Sequence, residues 1–439
     1  MGVAKQFRVG LIFLCLVTIV YILFEVYEIA ELISGFQRVR NYSQPLSCTH
    51  LNDVQFQSEK KQQWPSSDEN LTVVDRDFFE YLASRLRDTP FPGVINHTRY
   101  IVAKTRMKYL LDVKPLRPDF GPVLNDVTSL KYPIQIQRCR DTIVPYGPSL
   151  FVAVISAPKY FHKRNIIRQT WKRHLQMQSD LGFMNLAGFG FIVGLTVNDN
   201  NEIQKRIEEE SATYGDILQI EMIDDYYNLT LKVVGLLNWI NDHCSRVDFV
   251  LKVDDDVYVN VQNLVAVMKN LNSSEQSMYG SFSKGLPNRG GKWYISYDDW
   301  PWSNYPTYFR GAAILMPGIT IGHLLAASQT TPYLPFDDTF LTGLCTAKVG
   351  IKVRISERFF VGGAAEVPEP CHVYTSITWL TESVAQLNNS HWASEDFYNS
   401  VTHCTFEGPN GTNHTVNSKE KFDFPFSIGT EENSTEENL

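Results

Sequence analysis

Three consecutive carboxylates, Asp254, Asp255 and Asp256, follow directly on the apolar run FVLKV at 249–253. A short continuous apolar run reads as a buried strand. In open α/β sheets, ligands bind just beyond the carboxyl ends of the strands. Side chains alternate along an extended segment, so Asp254 and Asp256 project to one side. Two hard oxygen ligands suit Mn2+ or Mg2+, and such an ion can bridge to a diphosphate. Three adjacent carboxylates also repel one another and lose hydration on partial burial, which a cation offsets. An isolated acidic trio is best read as a solvated turn; its place after a buried strand turns the reading toward metal.

A second acid pair, Asp337-Asp338, precedes a helix-like segment at 339–345. Each carboxylate raises the pKa of the other, which suits a proton acceptor, although either could equally cap the helix. Arg164 and Arg168 stand four apart on one helix face, after the first strand of the main domain. Such arginines can fork onto phosphate or stack on a base, or they can form surface salt bridges. Thr170 and Trp171 read as core anchors. Asp224 to Asn228 supplies polar groups at a helix entry, where Asp224 serves either donor or structure. Lys232 can pair with the acidic trio or reach phosphate.

The elements that must position these groups begin near residue 146. Apolar strands are expected at 149–156, 189–195, 217–222 and 249–253, with helices at 164–175, 202–213 and 229–241 between them. Alternation of this kind predicts an α/β fold with a mostly parallel sheet covered by helices on both faces. The 439-residue chain divides into a cytoplasmic tail (1–8), a membrane anchor (9–28), a stem (29–145), a catalytic domain (146–382) and an acidic, partly disordered extension (383–439). A helix within the stem is expected at 75–87.

Lys5 and Arg8 precede the uncharged run 9–24, and Glu25, Glu28 and Glu31 follow it. That asymmetry predicts a single span with a cytoplasmic N-terminus, shorter than the ~20 residues of a full span. No small-x-small cleavage site supports a removed signal peptide. Nine N-glycosylation sequons, at Asn41, Asn70, Asn96, Asn228, Asn272, Asn388, Asn410, Asn413 and Asn433, all lie beyond the run and predict a lumenal chain. Six cysteines beyond Cys15 (Cys48, Cys139, Cys244, Cys345, Cys371 and Cys404) predict up to three disulfides. No C-x-x-C spacing points to zinc. A net charge of −8 argues against nucleic acid, and an acidic protein handling phosphate needs a metal.

Five blocks carry a family resemblance. KVDDDVYVN at 252–260 resembles the signature of the β-1,3-galactosyltransferase and N-acetylglucosaminyltransferase family. RNIIRQTW at 164–171, DDYYNLTLK at 224–232, YPTYFRG at 305–311 and FDDTFLTGLC at 336–345 are similar to the family's other blocks, in order. The resemblance covers residues 151–371. It implies a GT-A-like fold, a Golgi type II membrane location, a UDP-sugar donor, a divalent metal, a glycan acceptor on protein or lipid, and inversion at the anomeric carbon. By this matching Asp254 and Asp256 hold the metal, and Asp338 is the general base. Arg164, Arg168, Asp224, Lys232, Asp255 and Gly311 contact the donor. Trp293, Trp300, Trp302, Tyr305 and Tyr308 offer aromatic faces to the acceptor sugar, or pack in a core. A homo-oligomer is left open.

Three departures stand out. Phe309-Arg310-Gly311-Ala312-Ala313 replaces a glycine-rich loop, which alters backbone approach to the donor. Thr339 follows the base where valine is common. The family's metal-binding histidine falls, by ungapped counting from Cys371, on Leu380; His372 and His391 are off register. The alternative reading is therefore a weak or inactive lumenal relative that binds glycans or assists a partner transferase.

Overall fold

A computed structural model describes residues 76–139, 147–196, 201–283, 285–363, 365–400, 402–407 and 413–417. The expected tail, anchor and first part of the stem, with Cys15, Cys48, Asn41 and Asn70, lie outside the described residues, as do Asn410, Asn433 and the acidic terminus. Among the described residues no helix is long and apolar enough to cross a membrane.

The chain forms two compact units. The described part of the smaller takes residues 76–87, 100–107 and 288–301. It contains helix α1 (Arg76–Leu86), close to the helix expected at 75–87, and the second half of α2 (Val94–Thr105). The Phe79 ring meets Tyr100 edge-on at 6.1 Å. The Tyr100 hydroxyl donates to the Asp298 carbonyl at 2.9 Å, and Lys104 pairs with Asp299 at 2.6 Å.

The larger unit holds the main sheet. Strands β1 (Ser149–Ile155), β2 (Asn185–Leu195), β3 (Ile217–Ile223) and β4 (Phe249–Asp254) form its parallel half. A short strand, β5 (Val257–Val259), follows β4. Then come β6 (Ser277–Phe282), β7 (Phe309–Pro317) and β8 (Lys352–Ile355), giving the order β3-β2-β1-β4-β7-β6-β8. β7 runs antiparallel to both β4 and β6, while β6 and β8 are parallel. The expected mostly parallel α/β sheet is therefore present, with one reversed strand beside the acidic trio. Helices α3 (Phe161–Gln169), α4 (Trp171–Asp180), α5 (Asn201–Tyr214) and α6 (Leu229–His243) make the crossovers.

β1 shows why the strands read as unbroken apolar runs. Leu150, Val152 and Val154 join the core that includes Ile167, Trp171 and Leu175 of α3 and α4. Phe151, on the opposite face, lies 5.7 Å from the Trp239 ring of α6. Alternate residues thus bury against helices on both sides. Thr170 and Trp171 are buried as expected of anchors. The expected helix 164–175 is two helices, broken at Thr170, whose backbone leaves the helical region (φ −110°, ψ −114°).

Two expected boundaries need correction. Residues 108–139, assigned to the stem, belong to the larger unit. Val127 is fully buried, Ile134 bridges Gln219 of β3, and Asn125 Nδ2 donates to the carbonyls of Ser328 and Thr331. At the other end, the supposed extension after 383 begins with a regular helix. Further elements of the larger unit are β9 (Phe359–Gly363), β10 (Thr378–Leu380) and three helices: α7 (Val261–Met268) after β5, α8 (Ile321–Gln329) after β7, and, in the supposed extension, α9 (Val384–Asn399). Ser383 caps α9 by accepting from Gln386 N. The helix buries Leu387 and Phe397 but also Gln386, Ser390, His391 and Ser394. Those polar buried positions hide the helix from a hydropathy reading.

Among the six cysteines, Cys139 pairs with Cys244 and Cys371 with Cys404. Cys345 remains a buried thiol. The first bridge closes a loop of sequence separation 105 between the segment preceding β1 and the end of α6. Replacing Cys139 and Cys244 together by Ala is expected to cost about 2–4 kcal/mol, read as a lowered thermal midpoint of the full-length chain.

Candidate active site

β4 carries a lysine in an otherwise apolar strand. Lys252 is buried, and a buried ammonium must be paired. Its Nζ lies 3.0 Å from Asp337 Oδ2 and 3.4 Å from Asp254 Oδ1. It also donates to the Gly311 carbonyl of β7 at 2.9 Å. One side chain thereby joins the acidic trio, the second acid pair and the reversed strand. Burial alone would lower the pKa of Lys252, but the carboxylates of Asp254, Asp337 and Asp338 outweigh it and hold the ammonium above its ordinary range.

The trio divides by orientation. The side chains of Asp254 and Asp256 are 37% and 46% exposed, that of Asp255 only 7%. Asp255 turns inward, accepting from Ser156 Oγ at 2.7 Å and Lys163 Nζ at 2.8 Å. The donor contact expected of Asp255 is therefore replaced by an anchoring role. The turn is gripped from the other side as well. Thr381 donates its N–H (2.7 Å) and its hydroxyl (2.9 Å) to the Asp256 carbonyl. Two outward carboxylates on a braced turn fit a hard divalent cation in donor type and placement. Partial loss of hydration among its crowded neighbours raises Asp254 to about 7, with further upward push from Asp337, Asp256 and Asp255 against the downward pull of Lys252.

Asp338 stands at the start of a π-helical turn, Thr339–Cys345, and accepts from Thr339 N at 2.6 Å. The capping role open in the sequence is thus present. Burial and the neighbouring Asp337 raise its carboxyl to about 6, while the bond from Thr339 and the charge of Lys252 oppose the shift. Gly311 faces this acid. A Cβ there would stand 3.2 Å from Asp338 Cβ, so glycine leaves Asp338 its room. Ala312 and Ala313 lie buried in β7.

Other expected donor contacts are taken up within the protein. Arg164 is fully buried, paired with Glu210 at 2.6 Å, and donates to the carbonyls of Ala157 and Pro158. Arg168 pairs with Glu210 and Asp216, each at 2.7 Å. Lys232 pairs with Asp224 at 2.7 Å and donates to the Ser156 carbonyl at 3.0 Å. Asp224 in turn accepts from Gly194 N at 2.6 Å. Arg164 also donates to Ser156 Oγ at 3.3 Å. These charges brace Ser156, which holds Asp255, and act on the trio through it.

The acceptor aromatics divide likewise. Trp300, within the smaller unit, and Trp302, Tyr305 and Tyr308, within the larger, are buried, so the core reading holds for them. Trp293, in the smaller unit, is half exposed. Of the glycosylation positions, Asn96 and Asn272 are exposed, Asn228 and Asn388 half-buried, and Asn413 opens a strand. The Thr230 hydroxyl of the Asn228 sequon is spent on the Leu334 carbonyl at 2.5 Å.

Sequence reasoning missed Lys163, Ser156, Lys252 and Thr381. Lys252 was the legible one, because a charge inside an apolar strand demands a partner. The register also locates Leu380. It pairs with Val257, the residue after Asp256, so the position matched to a metal-binding histidine stands beside the trio and carries an alkyl side chain. His372 packs edge-on against Trp379, and His391 lies against His174.

A family model described as Galactosyltransferase matches residues 162–357. The chain is 31% identical over 231 residues to the human lactosylceramide 1,3-N-acetyl-beta-D-glucosaminyltransferase, covering 51% of this chain and 60% of that protein. It is 31% identical over 260 residues to beta-1,3-galactosyltransferase 5 of Gorilla gorilla gorilla, covering 58% of this chain and 83% of the relative. The Xenopus tropicalis lactosylceramide enzyme is 30% identical over 274 residues, covering 61% and 70%. Among solved structures, the bifunctional glycosyltransferase WbbM overlaps 58% of this chain and 52% of its own at 9% identity, with a TM-score of 0.33.

Replacing Lys252 by Met keeps its length but leaves Asp254 and Asp337 without their shared cation. The expected loss of stability is about 3–5 kcal/mol near neutral pH. It should shrink in acid as the carboxyls take up protons, read by thermal melts of the full-length variant across pH.

Proposed function

The chain belongs to the galactosyltransferase family and is a glycosyltransferase, and from that premise we propose that it moves a hexose (Gal, GlcNAc or GalNAc) from a UDP-sugar to a glycan hydroxyl, in β-1,3 linkage with inversion. The carrying observation is the ion-pair junction at Lys252, which sets the outward pair Asp254 and Asp256 beside Asp337 and Asp338. The sheet is then GT-A-like, and the site lies beyond the carboxyl end of β4. The relatives' names give GlcNAc and Gal as transferred sugars and a glycolipid as one acceptor. The sequons and disulfides favour a lumenal chain, held by the N-terminal apolar run in the Golgi membrane as a single-pass type II protein.

In this reading Asp254 and Asp256 hold Mn2+ or Mg2+. When bound, the ion offsets the charge that develops on departing UDP. Asp255, Ser156 and Lys163 fix the direction of the turn. Asp338 takes the proton of the attacking hydroxyl, since a sugar hydroxyl is a poor nucleophile unaided. Gly311 keeps the space in front of that carboxylate clear.

A second reading, a weak or inactive relative, is favoured by Leu380 at the matched histidine position. Two aspartates, the diphosphate and water would then hold the cation alone. Under that reading no donor releases UDP faster from the wild-type chain than from Asp256→Ala.

A donor-by-acceptor screen of the full-length chain with Mn2+, reading UDP release, tests the proposal. Asp256→Ala is expected to lose UDP uptake. Asp338→Asn is expected to keep uptake and lose transfer by about 10²–10⁴-fold. Release without any difference between these variants and wild type would refute the assignment. The base must be unprotonated and its carboxyl sits at about 6, so kcat/KM should hold above that pH. Below it the rate should fall by about tenfold per unit.

A further inference from the structure

Away from β4, one cluster among the described residues has the makings of a metal site. His174, His391 and Glu395 each offer a ligand atom, and these atoms lie within 4.8 Å of one another. His391 and Glu395 are four apart on α9 and so share a helix face. His174 comes from α4. Both imidazoles are more than nine-tenths buried, their rings 4.6 Å apart. His174 Nε2 meets Glu395 Oε1, and the other Glu395 oxygen accepts from Asn399 Nδ2 at 2.9 Å.

The arrangement is costly as a mere packing contact. Nδ1 of His174 and Nδ1 of His391 are both buried without a hydrogen-bond partner. Interiors seldom leave such nitrogens unmet. An ion held by His174 Nε2, which faces Glu395, and by a nitrogen of His391 would replace a single ion-pair contact with coordinate bonds. Two imidazoles and a carboxylate are also a recurrent three-ligand set for zinc, with water in the fourth position. Glu395 is 31% exposed, which gives an ion a way in and a water a place to stand. To hold an ion with bonds near 2.0–2.1 Å the ligand atoms must stand roughly 3.3 Å apart, so the widest separation, up to 4.8 Å, must close and the His174–Glu395 contact must open.

We propose that His174, His391 and Glu395 bind a transition-metal dication of the zinc class, with an open fourth position, joining α4 to α9. Nitrogen ligands select such ions over the hard cations suited to Asp254 and Asp256. The two sites are therefore chemically distinct. The ion would hold the helix that starts just after Thr381, whose two bonds grip the Asp256 carbonyl.

The test is titration of the full-length chain, stripped by chelator, with Co2+ and then Zn2+. The expected result is one equivalent of Co2+ with the intense visible absorption of a four- or five-coordinate ion, displaced by one equivalent of Zn2+ and retained in Asp256→Ala. His391→Gln should abolish the signal. Glu395→Gln keeps the side chain's shape and an acceptor for His174, and should weaken Zn2+ by at least about tenfold. If His391→Gln fails to melt cooperatively, Glu395→Gln decides. Absence of the Co2+ spectrum in a folded wild-type chain, or unchanged Zn2+ affinity in Glu395→Gln, would overturn the proposal. Neither readout depends on transferase activity.

Discussion

The structure around β4 depends on one buried positive charge. Lys252 stands inside the sheet, where an ammonium is tolerated only in company. Its company is Asp254, Asp337 and the Gly311 carbonyl. These groups come from three places in the chain: the end of β4, the approach to the π-helical turn, and the reversed strand β7. The lysine cannot be satisfied unless all three arrive together. That requirement holds Asp254, at the end of β4, close to the Asp337-Asp338 pair.

A second shell of charge supports the first. Ser156 Oγ accepts from Arg164 and donates to Asp255, while the Ser156 carbonyl accepts from Lys232. Arg164, Lys232 and Lys163 are thus spent inside the protein. Asp255 is drawn in, and its two neighbours are left facing out. The cost of burying this many ions is offset because the pairs are close and many are doubly bonded. Such a network holds the turn in one arrangement, which is the pre-organisation that a polar site requires.

Much of this was legible in the residues. Strand runs such as 149–156 and 249–253 carried their periodicity openly, because both faces of the sheet are buried. The alternation within the trio followed from extended geometry alone. What escaped notice were facts of pairing. Arg164 and Arg168 have the look of phosphate ligands, yet Glu210 and Asp216 lie 46 and 48 residues away in sequence and claim them. Trp302 and Tyr305 have the chemistry to stack on sugar but are core residues, which no local signal reveals. Helix α9 buries serines and a histidine instead of an apolar stripe, and so passed for a tail. The reversed direction of β7 was also invisible, because strand sense is settled by tertiary closure.

The grip of Thr381 on the Asp256 carbonyl spans a sequence separation of 125. Ribosomal synthesis runs from the N-terminus, so the acidic turn emerges well before the residue that steadies it. The stretch containing Thr381 lies within the ring closed by Cys371 and Cys404, whose second half is made later still. The acidic turn therefore gains this brace only once the chain has been made through Thr381, inside a segment that the Cys371–Cys404 bond closes.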